Sequence, residues 1–120
     1  MTTTDLVRHR DGVAVVDLPA QVDSSTERAL NDAYATATAN GSRRLLLNFA
    51  SVEFLSSTGI AMIVGILARA KKEAREISAC GLSEHYREIF EITRLADFMR
   101  LYADEPAALA ATRDDNKAGG

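Results

Sequence analysis

The stretch Phe54-Leu55-Ser56-Ser57-Thr58-Gly59-Ile60-Ala61-Met62-Ile63-Val64-Gly65 organises the rest of the chain. A hydrophobic strand pattern ends there in three consecutive hydroxyls, and a strongly apolar helix starts at once. That junction is where function is expected.

Upstream, Arg44-Leu45-Leu46-Leu47-Asn48-Phe49 is a near-continuous apolar run of strand length, the pattern of a strand buried on both faces. The β-branched run Gly12 to Leu18 lies before it, and Leu6-Val7-Arg8-His9 is placed to pair with that run as a hairpin. Between these strands, Asp23-Ser24-Ser25-Thr26-Glu27 supplies capping side chains, with Ser24 and Glu27 spaced as a capping box. A first helix follows, with Leu30, Ala33, Tyr34 and Ala37 at helical spacing and a stop near Asn40-Gly41.

Downstream, the spacing predicts a second helix from Ser57 to about Glu76. Ile60, Ile63, Val64, Leu67 and Ala74 form its inward stripe, which leaves Ala61, Met62, Gly65 and Ile66 on flanking or outward positions. Ile77 to Gly81 is a further short strand. Ser83 caps a third helix carrying Tyr86, Ile89, Phe90 and Ile92, Phe98 to Tyr102 is a last strand, and Asp104-Glu105-Pro106 opens a short closing helix. Thr112 to Gly120 has the composition of a loose tail. Strands alternating with helices predict an α/β fold built on crossover connections.

Composition narrows the function. In 120 residues, fourteen Lys and Arg against seventeen Asp and Glu give a net charge of -3, without the basic stripe of a nucleic-acid binder. The longest apolar run, Gly59 to Ala68, is far short of the ~20 residues that span a bilayer. The polar start has no cationic signal region, so a cytoplasmic location is expected. One cysteine and two histidines far apart make neither a disulfide nor a structural zinc site, and no metal or cofactor is expected. Phosphate-loop, dinucleotide and zinc-protease motifs are absent, as is the G-x-S-x-G elbow. Ser57, His85 and Asp104 can be written as a nucleophilic triad, but any chain of this size offers such a set.

Ser56-Ser57-Thr58 before an apolar helix is first of all a capping cluster, since a side-chain oxygen there satisfies an orphan backbone N–H. Asp23 is a helix cap by the same logic, and Cys80 in an apolar strand is a small core residue. Lys71-Lys72 is a solvated helix end that can also meet an acidic partner. The apolar character of helix two on its outward side points beyond capping, to a partner surface. A phosphoryl group at this helix start would sit at the positive end of the macrodipole, while its charge of about -1.5 to -2 would disfavour a partner docked on the apolar face.

These residues resemble a family. Val52-Glu53-Phe54-Leu55-Ser56-Ser57-Thr58-Gly59-Ile60-Ala61 is similar to the family stretch of hydrophobic residues, Asp, Ser, Ser or Thr, Gly, Leu or Ile, Gly or Ala of the bacterial anti-sigma factor antagonists, small STAS domains. Leu18-Pro19-Ala20-Gln21-Val22-Asp23 resembles the family's Leu-x-Gly-x-Leu-Asp, and Phe90-Glu91-Ile92-Thr93-Arg94-Leu95 its segment of Phe, two residues, Ser or Thr-Gly, then Leu. The resemblance implies a single STAS-like domain over residues 1–111, with a central mixed sheet of about four to five strands and about four helices mainly on one face. It also implies an anti-sigma factor antagonist rather than an enzyme. Such a protein binds an anti-sigma factor that is also a serine kinase, releases a sigma factor, and is reset by a metal-dependent serine phosphatase. Ser57 matches the phosphorylated residue, ahead of Thr58 or Ser56. Asp23, Ser56, Thr58, Gly59, Ala61, Met62, Gly65 and Ile66 are then the partner-binding set. Ser56 stands where the family commonly has an acidic residue, and Ala20 and Arg94 stand where it often has glycine. The alternative within the same fold is a STAS subunit of another signalling or membrane-associated transport complex that binds without being phosphorylated.

Overall fold

In the computed structural model, which describes residues 6–39 and 41–111, the chain opens with a hairpin of β1 (Val7–Arg10) and β2 (Val13–Asp17). The short β3 (Gln21–Val22) and a 3-10 turn (Ser24–Thr26) lead into α1 (Glu27–Thr38). Then come β4 (Arg44–Asn48), β5 (Phe54–Leu55), α2 (Ser57–Lys72), β6 (Glu76–Cys80) and α3 (Glu84–Ile92). A second 3-10 turn (Leu95–Asp97), β7 (Arg100–Tyr102) and a final helix, α4, at 105–111 complete the described residues. The expected tail, 112–120, lies outside them.

Five strands form one mixed sheet in the order β1-β2-β4-β6-β7, antiparallel only between β1 and β2. The near-continuous apolar run Leu45-Leu46-Leu47 occupies its centre and is buried on both faces. One face carries Ala14, Val16, Leu45, Leu47, Ile77 and Ala79 against α1, α2 and Phe90 of α3. Val13, Val15, Leu46 and Cys80 point the other way and meet Ala108 and Leu109 of α4. Burial holds the Cys80 thiol as a core group, its pKa pushed up to about 11 with Asp17, Asp104 and Glu105 adding to the effect. The expected helices on mainly one face are therefore three on one side and α4 alone on the other.

Local chemistry differs from expectation at several ends. The box before α1 is built by Asp23 and Thr26, not Ser24 and Glu27, because the chain first makes a 3-10 turn and the cap falls one residue earlier. Helix α2 stops at Lys72 rather than near Glu76. Ala74 takes a left-handed φ of 58°, its N–H donates to Lys71 O at 3.1 Å and the Arg75 N–H donates to Ala70 O at 2.8 Å. This is a Schellman stop with alanine where glycine is preferred, so Ala74 leaves the inward stripe.

The buried arc of α2 is also rotated from expectation. Val64 is 44% exposed, while Ile66 is 6% exposed and packed in the core with Ile63, Leu67 and Ala70. The cause is that α2 packs on α1 as well as on the sheet. Tyr34 of α1 donates its hydroxyl to Glu73 at 2.7 Å, and Arg69 stacks over the Tyr34 ring at 4.5 Å. Desolvation, with Glu73 adding to it, pushes the Tyr34 phenol up to about 12. On α3, Ile92 is exposed rather than core because that helix contributes only Phe90 as a fully buried residue, set edge-on to Phe49 at 5.6 Å. The last strand is shorter than expected, starting at Arg100, because residues 95–97 form the 3-10 turn and Phe98 faces solvent.

Arg8 joins β1, β2 and α4, donating to Asp17 at 2.5 and 2.7 Å and to Glu105 at 2.5 Å. Asn48 adds a hydrogen bond to Asp17 at 2.9 Å. The Arg8 guanidinium holds the Asp17 carboxyl below its ordinary value of 3.8, against the opposing effect of burial.

Two outcomes follow. Ala74→Gly relieves a left-handed cost of about 1–2 kcal/mol, less the extra unfolded-state freedom of glycine, for a net gain of about 0.5–1 kcal/mol in a denaturation experiment. An unchanged or lowered midpoint contradicts the Schellman assignment. Because the folded Asp17 pKa is depressed, its contribution is complete above pH 3.8 and is lost as the pH falls through the lower folded value. Arg8→Gln therefore flattens the acid limb of a stability–pH curve, and an unaltered limb contradicts the linkage.

Candidate functional site

The local feature that places the site is a two-stranded parallel pair apart from the main sheet. Gln21 and Val22 of β3 face Phe54 and Leu55 of β5 in register. The N–H groups of Glu53 and Phe54 donate to Ala20 O at 2.8 and 3.0 Å, and the Ser56 N–H donates to Val22 O at 3.0 Å. Each strand runs straight into a helix cap, Asp23 after Val22 and Ser56 after Leu55. Two helix starts are thereby held side by side at the C-terminal ends of parallel strands, the position where α/β folds usually present their sites.

The caps divide the hydroxyl cluster. Ser56 is the N-cap of α2, its Oγ accepting from the Gly59 N–H at 2.9 Å and facing Val22 O at 3.4 Å. Ser57 and Thr58 begin the helix itself and are exposed. Asp23 is half-buried and occupied as a cap: Oδ1 accepts from the Ser25 N–H at 2.9 Å and from the Ser25 hydroxyl at 2.5 Å. Its own N–H donates to Thr26 Oγ1 at 3.1 Å.

Gly59 is buried, and a Cβ there would lie 2.2 Å from Val22 O and 2.9 Å from Val22 C. Its need for glycine comes from the chain's own β3 backbone. Ile66 packs in the core and also lines, with Thr58, Ala61, Met62 and Gly65, an open groove against Glu27 and Asn31 of α1, and Met62 is half-buried. Thr58, Ala61 and Gly65 remain on the open face, and a Cβ on Gly65 would meet nothing within 4 Å. Val64 and Ala68 join them, so that Ser57, Ala61, Val64 and Ala68 follow one line of the helix at i, i+4, i+7 and i+11.

Two residues of the site were not singled out from sequence. The Leu55 N–H donates to the Tyr86 hydroxyl oxygen at 3.0 Å, so α3 anchors the strand that ends at Ser56. Phe54 is 50% exposed beside it. The Tyr86 contact spans 31 residues and leaves no local signal, and the exposure of Phe54 follows from the placement of the two-residue β5. His85 stacks tilted against Tyr86, and Asp104 accepts from the Ala107 N–H at 2.9 Å as the cap of α4. Among the described residues no hydrogen bond links Ser57, His85 and Asp104.

A five-stranded mixed sheet, two clipped helix starts and an exposed apolar helix face make up the site and its scaffold. The sequence model of the STAS domain matches residues 6–108, and the chain belongs to that family. It is 28% identical over 86 residues to the anti-sigma-B factor antagonist of Staphylococcus aureus, covering 72% of this chain and 80% of that protein. An anti-sigma factor antagonist from Mycobacterium paratuberculosis has a similar structure, with a TM-score of 0.77 and 29% identity over 90% of this chain and 92% of that one. The Bacillus protein SpoIIAA in its phosphorylated form shares the fold, with a TM-score of 0.65 and 19% identity over 85% of this chain and 94% of that one.

The divided cluster is open to direct measurement. Ser56→Ala removes the cap and lowers stability by about 1 kcal/mol, whereas Ser56→Asp, also a good cap, stays close to the parent. Gly59→Ala forces α2 away from β3 and lowers stability by more than about 3 kcal/mol. Equal denaturation midpoints for the parent and Gly59→Ala would remove the close approach from the account.

Proposed function

We propose that the protein is a cytoplasmic anti-sigma factor antagonist and not an enzyme. Unphosphorylated, it docks on a serine-kinase-type anti-sigma factor through the open face of α2, which frees a sigma factor. Phosphorylation of Ser57 by that partner ends the interaction, and a metal-dependent serine phosphatase restores it. The observation that carries this proposal is the division of labour at the helix start: Ser56 is spent on the cap, while Ser57 stands exposed at the head of the Ala61, Val64 and Ala68 line. The names of the Staphylococcus aureus and Mycobacterium paratuberculosis relatives support the role, and the phosphorylated form of SpoIIAA supports the modification.

The physics of the switch is local. A phosphate on Ser57 lies at the first turn of α2, where unpaired backbone N–H groups and the macrodipole stabilise an anion. The same added charge must be desolvated, or repelled by acidic groups, when a partner closes over Ala61, Val64 and Gly65. The partner surface comprises Asp23, Ser56, Thr58, Ala61, Gly65 and the accessible edge of Met62, together with Val64. Since Ser56 carries no charge, a partner that never modifies the chain is the competing function, that of a constitutive STAS subunit.

Binding and mass measurements separate these. With the kinase-type anti-sigma factor and ATP, the parent gains one phosphoryl group and Ser57→Ala gains none. Ser57→Asp binds about 10-fold or more weakly, and Ser57→Ala binds like the parent. Unchanged mass with equal binding by both variants overturns the switch in favour of the constitutive subunit. A phosphate found only on Thr58 moves the acceptor by one residue.

A further inference from the structure

A second surface lies on the far side of α2 from α1. The C-terminal half of α2 and the segment 95–99 enclose an open trough whose apolar lining includes Val64, Leu67, Leu95, Phe98 and Met99. Phe98 is 63% exposed at its edge and forms one lip, with Val64 as the other. Apolar side chains of this size left in water at a trough, rather than scattered singly, mark an interaction surface.

Its charge has a definite sign. The two lining carboxylates are each neutralised by an arginine outside the trough: Glu76 by Arg44 at 3.5 Å and Asp97 by Arg94 at 2.8 Å. Lys71 lines the same trough with no ion pair among the described residues, and Lys72 follows it in the last turn of α2. In a chain of net charge -3, this rim is locally positive. The trough is open along its length, whereas a small ligand is held where most of its surface is buried. A helix wall and apolar lips instead match the helix-in-groove mode of recognition.

We propose that this trough binds an acidic amphipathic helix of a partner protein. The apolar side of that helix covers the exposed lips Val64 and Phe98, over a floor of Leu67 and Leu95, and its carboxylates meet Lys71. The trough meets the Ser57 face at Val64 but is centred further along the helix: seven residues, about 10.5 Å, lie between Ser57 and Val64, and about 21 Å between Ser57 and Lys71. Its test needs neither the anti-sigma factor nor a kinase.

The test uses the full chain, isotope-labelled for amide NMR, and two synthetic peptides of about 15 residues, long enough to form helix. Both carry leucine on one face; the other face is glutamate in one and lysine in the second. The glutamate peptide is expected to shift the amides of Leu67, Lys71 and Phe98, leaving Thr58 unmoved. Phe98→Ser and Lys71→Glu, both at exposed positions, each weaken it about 10-fold with unchanged melting midpoints. Equal binding of the lysine peptide, shifts centred on Thr58, or no shift at all would overturn the proposal. Laurate perturbing the trough where the glutamate peptide does not would overturn it in favour of a lipid ligand.

Discussion

The carbonyl oxygen of Val22 is the point on which the site depends. It accepts the Ser56 N–H at 3.0 Å, lies 3.4 Å from the Ser56 hydroxyl, and occupies the space that a side chain at residue 59 would fill. Three features follow from one contact: β3 is joined to β5, the start of α2 is drawn down onto β3, and residue 59 is confined to glycine. A buried carbonyl must be paired, so the geometry is held by the cost of leaving that oxygen unsatisfied as well as by the bonds themselves.

From that anchor the hydroxyls take different roles. The N-cap position consumes the oxygen of Ser56, and helical geometry then turns Ser57 and Thr58 outward. A residue that caps is a poor acceptor for modification because its oxygen is already in use, whereas the next residue is free and beside the positive helix end. Serine at 56 keeps the cap while omitting the charge that an aspartate would bring. The exposed line from Ser57 to Ala68 is the surface that this division leaves open.

Helix α2 is the member common to the cap, the exposed line and the trough. Its buried side meets both the sheet and α1, each of Ile63, Ile66 and Leu67 contributing roughly 1.5–3 kcal/mol by burial. Its N-terminus carries the exposed Ser57, and its C-terminal half forms a wall of the positive trough. Clamping α2 with Tyr34, Arg69 and Glu73 on one side leaves the Val64 side uncovered, which is why two different surfaces can open from one helix.

Periodicity and capping chemistry determined the α/β class, the order of the main elements, the buried centre Leu45-Leu46-Leu47, the α1 core positions and the Asp23 and Ser83 caps. These are local properties, set within a turn of helix or a few residues of strand. Tertiary structure alone decided which hydroxyl is spent and which is free, because the Ser56 hydroxyl also faces a carbonyl 34 residues away. It decided that Ile66 is core and Val64 is surface, because the buried arc of a helix is set by how many neighbours it packs against, and the α1 contact cannot be read from α2's own pattern. It decided the role of Tyr86, whose partner lies 31 residues upstream. The hydroxyl cluster was visible in the sequence; its division into a cap and an exposed serine required the backbone of another strand.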